Sequence, residues 1–256
     1  MAVRISQAYR VSTLWRDETT LEPPTIGTRD TPTCDHGSTH PRQHYRLAMN
    51  SPRSIHEETG AFATKLYQAV AIAPFDGSPR VQTSLVASSM SLEHWDAIRT
   101  LLRSRHLPSA MVLHRAQFEA LVRSVWILYA ASEEKISKLS ATLSLESEQA
   151  AKNLPLVAEM MGVLSTRAPA AAYDALSRFK ENSWKALNSY AHAGIHPLRR
   201  HAEGYPTGLI ESVLRNANGL AVVAGMQMAV LSGRQPLVKE VLSVGLAHPS
   251  CMPPPL

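Results

Sequence analysis

Aromatic residues are scarce in this sequence, at 6%, and charged residues reach only 18%, below the usual quarter. A core must therefore be filled with Leu, Ala, Val and Met, and the helices or strands that carry them must be covered on more than one side. There are two cysteines, Cys34 and Cys251. A disulfide framework is thereby excluded as the basis of folding, and a reducing, cytoplasmic location is expected. No apolar run reaches the length of a membrane span. The nearest, Leu220 to Leu231, contains Gln227 and reads as a core helix. The N-terminal residues MAVRISQAYRVSTLWRDE hold no signal-peptide apolar core. Membrane partners are not expected.

Basic residues exceed acidic ones by five over the 256 positions, but without concentration. Residues 1–56 hold seven Arg against five acids, and the remainder 19 Lys or Arg against 16 acids. No dense Lys/Arg run occurs, which weighs against nucleic acid as a partner. Gly-rich phosphate loops, CxxC, HExxH and GxSxG are all missing, so no cofactor is implied and no reaction is assigned. Whether the protein is an enzyme stays open, as does a homo-oligomeric state.

What is present is helical periodicity. Residues 1–56 carry Pro23-Pro24, Pro32, Pro41 and Pro52 with no sustained period, and are expected to be a disordered extension. Met49 is a candidate true start. From Glu57 apolar positions recur at helical spacing. Helices are expected over about 57–73, 81–105 with a break near Ser88–Ser91, 108–131, from Ser132 onward, and over about 146–165, 169–193, 207–232 and 236–246. Ser132 with Glu133 and Glu134 makes a hydroxyl cap with first-turn acids. Gly194 is expected to close the 169–193 helix in a left-handed conformation. No segment alternates strictly, so no strands are expected. The fold class is all-α: a single irregular bundle of six to eight helices over 57–246, followed by a disordered tail at 247–256.

The helix HLPSAMVLHRAQFEALVRSVWILYAA carries the most informative pattern. On a wheel of 100° per residue, Met111, Val122, Trp126 and Tyr129 fall within about 40° of Arg115. Arg115 thus points into an apolar face, with Glu119 and Arg123 each one turn on. A later helix, SRFKENSWKALNSYAHAG, offers Asn188 and His192 at i and i+4 beside Trp184, and the second helix offers Glu93 and His94. These seven residues are expected to converge, with Trp126 and Trp184 as walls. Such a cluster either holds helices in register or binds a ligand. Metal is not expected. His192 and His196 are separated by Gly194 ahead of Pro197, and Cys34, His36, His40 and His44 lie in a Pro-rich stretch without a second ligand cluster. Arg199, Arg200 and His201 read as a solvated loop patch, and Ser183 and Ser189 have no evident acid–base partner.

The stretches SLEHWDAI, SAMVLHRAQFEALVRSVWIL and LNSYAHAG resemble an uncharacterised bacterial all-helical domain family. Its members pair an R-x-x-x-E helix with a later N-x-x-x-H helix. The resemblance covers roughly 57–235 and falls on Glu93, His94, Arg115, Glu119, Arg123, Asn188 and His192. It implies the helical fold and no particular activity. More distantly the chain is similar to HEPN-type helical domains, some of which are RNA-cleaving toxins using an R-x4-6-H motif. That similarity implies an RNA-processing alternative resting on Arg99 and His106, with Thr100 in place of the polar residue that usually follows the Arg.

Overall fold

The computed structural model describes residues 54–254. Among them are ten α-helices: α1 (Ile55–Val70), α2 (Pro79–Arg103), α3 (Leu107–Tyr129), α4 (Glu133–Ser140), α5 (Leu145–Ala150), α6 (Val157–Arg167), α7 (Ala170–Ala191), α8 (Ile195–Glu203), α9 (Thr207–Leu231) and α10 (Gln235–Leu246). No strand occurs among the described residues. The expectation of an extension over 1–56 lies outside the described residues, except that Ser54 caps α1 and Ile55 and His56 belong to it.

Local chemistry explains the boundaries. Ser54 and Glu57 form a reciprocal capping box, and Ser132 accepts the Lys135 N–H at the start of α4. The helix expected over 146–165 is two helices, which accounts for one of the two beyond eight. Pro155 forces Leu154 into an extended conformation and supplies no N–H, so α5 cannot run into α6. The other is α8, which Pro197 in its first turn had made look like loop. The left-handed residue after α7 is Ala193, at φ 50°, not Gly194. Gly194 instead caps α8, and glycine is required there for space: a Cβ would lie 2.6 Å from Ser189 Oγ.

Helices α2 and α3 form a long antiparallel hairpin, and α9 lies across both. The expected break at Ser88–Ser91 does not occur. Ser88 and Ser91, with Ser84, face inward, where small hydroxyl side chains let two helices approach closely. Ser84 and Ser124 each donate to the other's carbonyl, at 2.9 and 2.7 Å, Ser88 meets Ser124 at 2.7 Å, and Ser91 donates to the Gln117 carbonyl. Gln227 of α9 closes the group on Ser84. Every hydroxyl is paired, so their burial carries little desolvation cost. α1 and α10 pack on α9, while α6 and α7 pack on α3. The backbones of α1, α9 and α10 close around Gly225, where a Cβ would stand 2.8 Å from a Leu66 methyl.

The tail expected after residue 246 is ordered through Pro254 and docked on α1 and α9. Cys251 is fully buried. Asn218 Nδ2 donates to its carbonyl at 2.8 Å and to Thr59 Oγ1 at 2.9 Å. Arg215 reaches the Ser250 carbonyl, and His248 pairs with Glu58. A proline-rich composition suggested disorder, but prolines also serve a segment whose backbone is held by side chains of other elements.

Candidate functional site

Two ridges meet where α3 packs on α7. One carries Arg115, Glu119 and Arg123, the other Trp184, Asn188 and His192, each at successive i, i+4 positions. Such spacing lines residues along one helix face. Arg115 joins the ridges. Its guanidinium stacks on the Trp184 indole at 5.1 Å, pairs with Glu119 at 3.0 Å and lies 3.5 Å from His192 Nε2. Arginine can only donate, so His192 Nε2 accepts and the ring keeps its proton on Nδ1. Glu119 also acts on Arg123, whose pKa burial lowers and Glu119 raises. Arg123 in turn lies over Trp126 at 5.9 Å. The two tryptophans thus flank the group, one from each helix.

The position of this group differs from the sequence expectation. Arg115 and Glu119 keep 23% and 39% of their side-chain surface, and His192 is exposed at the C-cap of α7. The cause is the breadth of the apolar face of α3, which contacts α2, α9, α6 and α7. The wheel places Arg115 beside Met111, Val122 and Trp126, all buried, yet the solvent margin runs along that same edge. Glu93 and His94 do not join. Glu93 is exposed and its field falls on Tyr67 of α1, and no hydrogen bond or ion pair joins His94 to either ridge among the described residues.

The group is incompletely satisfied. Arg115 Nε, Arg123 Nη1 and Asn188 Oδ1 are buried atoms without a hydrogen-bond partner among the described residues. Such orphans are rare in folded proteins and call for a water, ion or ligand.

Sequence reasoning missed the polar groups at the true centre. His114, one residue before Arg115, is 1% exposed and packs edge-on against Phe179. Gln117 Nε2 donates to the Ala217 carbonyl, so its Oε1 accepts, and His114 Nδ1, at 3.0 Å, is the donor. Burial pushes the His114 pKa down to about 4, so the ring is neutral. The signal was a His and a Gln three apart in a helix that is apolar nearly all round. Trp95 and Asn218 form a second buried pair, with the indole N–H donating to Asn218 Oδ1.

Other candidates separate. Arg99 pairs with Asp96 at 2.5 Å and lies over Trp95, while His106 is an exposed residue at the N-cap of α3; no bond joins the two among the described residues. Ser189 Oγ accepts the His196 N–H as part of the α7–α8 turn, and Ser183 is half-buried. Arg199 of α8 pairs with Glu203. Cys34, His36, His40 and His44 lie outside the described residues. Among the described residues no group of three or more His, Cys, Asp or Glu could hold a metal ion. Nor is any helix there long and apolar enough to cross a membrane.

A family model described as "Family of unknown function (DUF6988)" matches residues 88–254, more than half of the chain. The chain belongs to this family. The DUF6988 segment begins within α2 and takes in both ridges, the buried His114 and the docked C-terminal stretch, while α1 lies outside it. No curated protein and no solved structure matches the chain.

Proposed function

We propose that this DUF6988 domain is a cytoplasmic ligand-sensing module that binds a small polar molecule at the α3–α7 seam. The observation that carries this is the set of three orphaned buried atoms on facing ridges: two guanidinium N–H groups, of Arg115 and Arg123, and one amide oxygen, of Asn188. A ligand with a carboxylate or carbonyl for the arginines and an N–H or O–H for Asn188 would satisfy all three. The indole of Trp184, already holding Arg115 by cation–π contact, keeps the guanidinium in place before the ligand arrives, which lowers the ordering cost of binding. The free, buried Cys251 thiol suits a reducing compartment. A role in register alone would leave the same residues without a ligand.

The test is a thermal-shift screen with free amino acids and short hydroxy- and keto-carboxylates, followed by calorimetry. A binding compound at one hundred times its Kd stabilises the folded state by about 2.7 kcal/mol. The shift should vanish in Arg115→Met and in Asn188→Leu. If no compound shifts the wild type and both variants melt higher than it does, the seam is structural and the reading fails.

A further inference from the structure

A second polar cluster lies on another side of the bundle, where α1, α2 and α9 meet. His56 sits in the first turn of α1. Arg99 and Arg103 rise at i, i+4 along α2, and Glu211 and Arg215 stand at i, i+4 on α9. Charges in this cluster are unevenly matched. Arg99 is neutralised by Asp96 at 2.5 Å, and Arg215 by Glu211 at 3.1 Å. Arg103 has no carboxylate partner among the described residues. It crosses to α1 and donates to the His56 carbonyl at 3.2 Å, over the bare backbone of Gly60. Two atoms here are buried and have no hydrogen-bond partner among the described residues: His56 Nδ1 and Arg99 Nε. Desolvation, then the positive field of Arg103, lowers the His56 pKa, against a smaller opposing effect of Glu211.

We infer that His56, Arg99 and Arg103 form an oxyanion-binding site for a phosphate-type group, separate from the α3–α7 seam. The chemistry is complementary in three ways. Arg103 is a planar donor fork with no anion of its own among the described residues, and such forks match phosphate oxygens. The Arg99 Nε–H needs an acceptor. His56, held neutral next to two guanidinium groups, gains a proton when a dianion enters, because the added negative charge offsets the field of Arg103 and Arg99. Binding is therefore proton-linked and strengthens as pH falls. The charged and titratable groups around His56 are Glu57 and Glu58 on α1, Arg99 and Arg103 on α2, Glu211 and Arg215 on α9, and His248 after α10. Glu57 is engaged with the Ser54 cap and Glu58 with His248, so neither neutralises Arg103.

The experiment follows the His56 ring by NMR in the full chain while inorganic phosphate is added, with the exposed His201 as internal control. Phosphate should raise the His56 pKa by at least about half a unit, while His201 stays put. Sulfate, whose charge is constant over the range, should bind at least about threefold tighter near pH 5.5 than near pH 7.5. Arg103→Gln, a change at an exposed side chain that should leave the melting temperature unaltered, should abolish both effects. Equal shifts at His56 and His201 would show screening alone and overturn the site. So would a response that survives in Arg103→Gln, or sulfate affinity independent of pH.

Discussion

Asn218 of α9 accepts the Trp95 indole N–H of α2 at 2.9 Å, and both side chains are fully buried. The same amide donates to Thr59 of α1 and to the Cys251 carbonyl. One side chain therefore completes the hydrogen bonding of three elements besides its own.

Asn218→Ala should accordingly cost roughly 2–4 kcal/mol, since it strands the Trp95 N–H and the Cys251 carbonyl in a dry interior and leaves a cavity. Urea unfolding measures it. A loss below about 1 kcal/mol would mean that water reaches this junction.

Glu119→Ala should be nearly silent, at under about 0.5 kcal/mol. Its pair with Arg115 spans i, i+4 at the solvent margin, and exposed pairs of this kind contribute little. A loss above about 2 kcal/mol in the same assay would place Arg115 in the interior, where the helix wheel had put it.

Acid sensitivity should trace largely to His114. Its folded pKa is lowered to about 4 from 6.5. The unfolded chain takes up a proton below about pH 6.5 while the folded chain cannot, so stability present above that pH is lost as pH falls toward 4 and levels off below it. The gap corresponds to roughly 3 kcal/mol. Between about pH 7 and pH 4.5, wild type should lose about 2 kcal/mol more than His114→Gln. Parallel losses would show that the ring is charged or solvated in the folded state.

Cys251 should resist thiol reagents in the native protein. The side chain is fully buried, and burial pushes its pKa up to about 11, so little thiolate is available and none is reachable. In a Cys34→Ser background, labelling by a disulfide reagent should proceed only at the rate of opening. Prompt labelling would mean that the segment after α10 detaches freely.

Much of the helical layout is readable from the residues because it is written locally. Ser132 with its following acids, Pro236 at the start of α10 and the 3.6-residue period of α3 and α9 all act within a few positions. What was not legible depends on neighbours. A wheel drawn for α3 ranks arcs by apolarity, but four other helices cover this one, so nearly every arc is apolar and the solvent margin cannot be placed. Arg115 and Glu119 were therefore set too deep, while His114, Gln117 and Ser124 passed unnoticed. The pairing of Arg115 with Trp184 and His192 was legible, because both ridges follow simple i, i+4 spacing. Glu93 and His94 share that spacing with nothing nearby, and their helix turns them elsewhere. The docking of residues 249–254 had no local signature, since its partners lie on α1 and α9.

The bonds that tie Thr59 to Asn218 and Glu58 to His248 span 159 and 190 positions. On the ribosome, α1 emerges long before either partner exists. At about 5–20 residues per second, the part of its apolar side that α9 covers, with Leu66 beside Gly225, waits roughly ten to thirty seconds. A bundle made of helices would ordinarily close quickly through local contacts. This one can seat α1 on α2 early, through Tyr67 to Asp96 and Phe62 to Trp95, but leaves the rest of that helix open until α9 arrives, and during that interval chaperones and aggregation compete for the same surface.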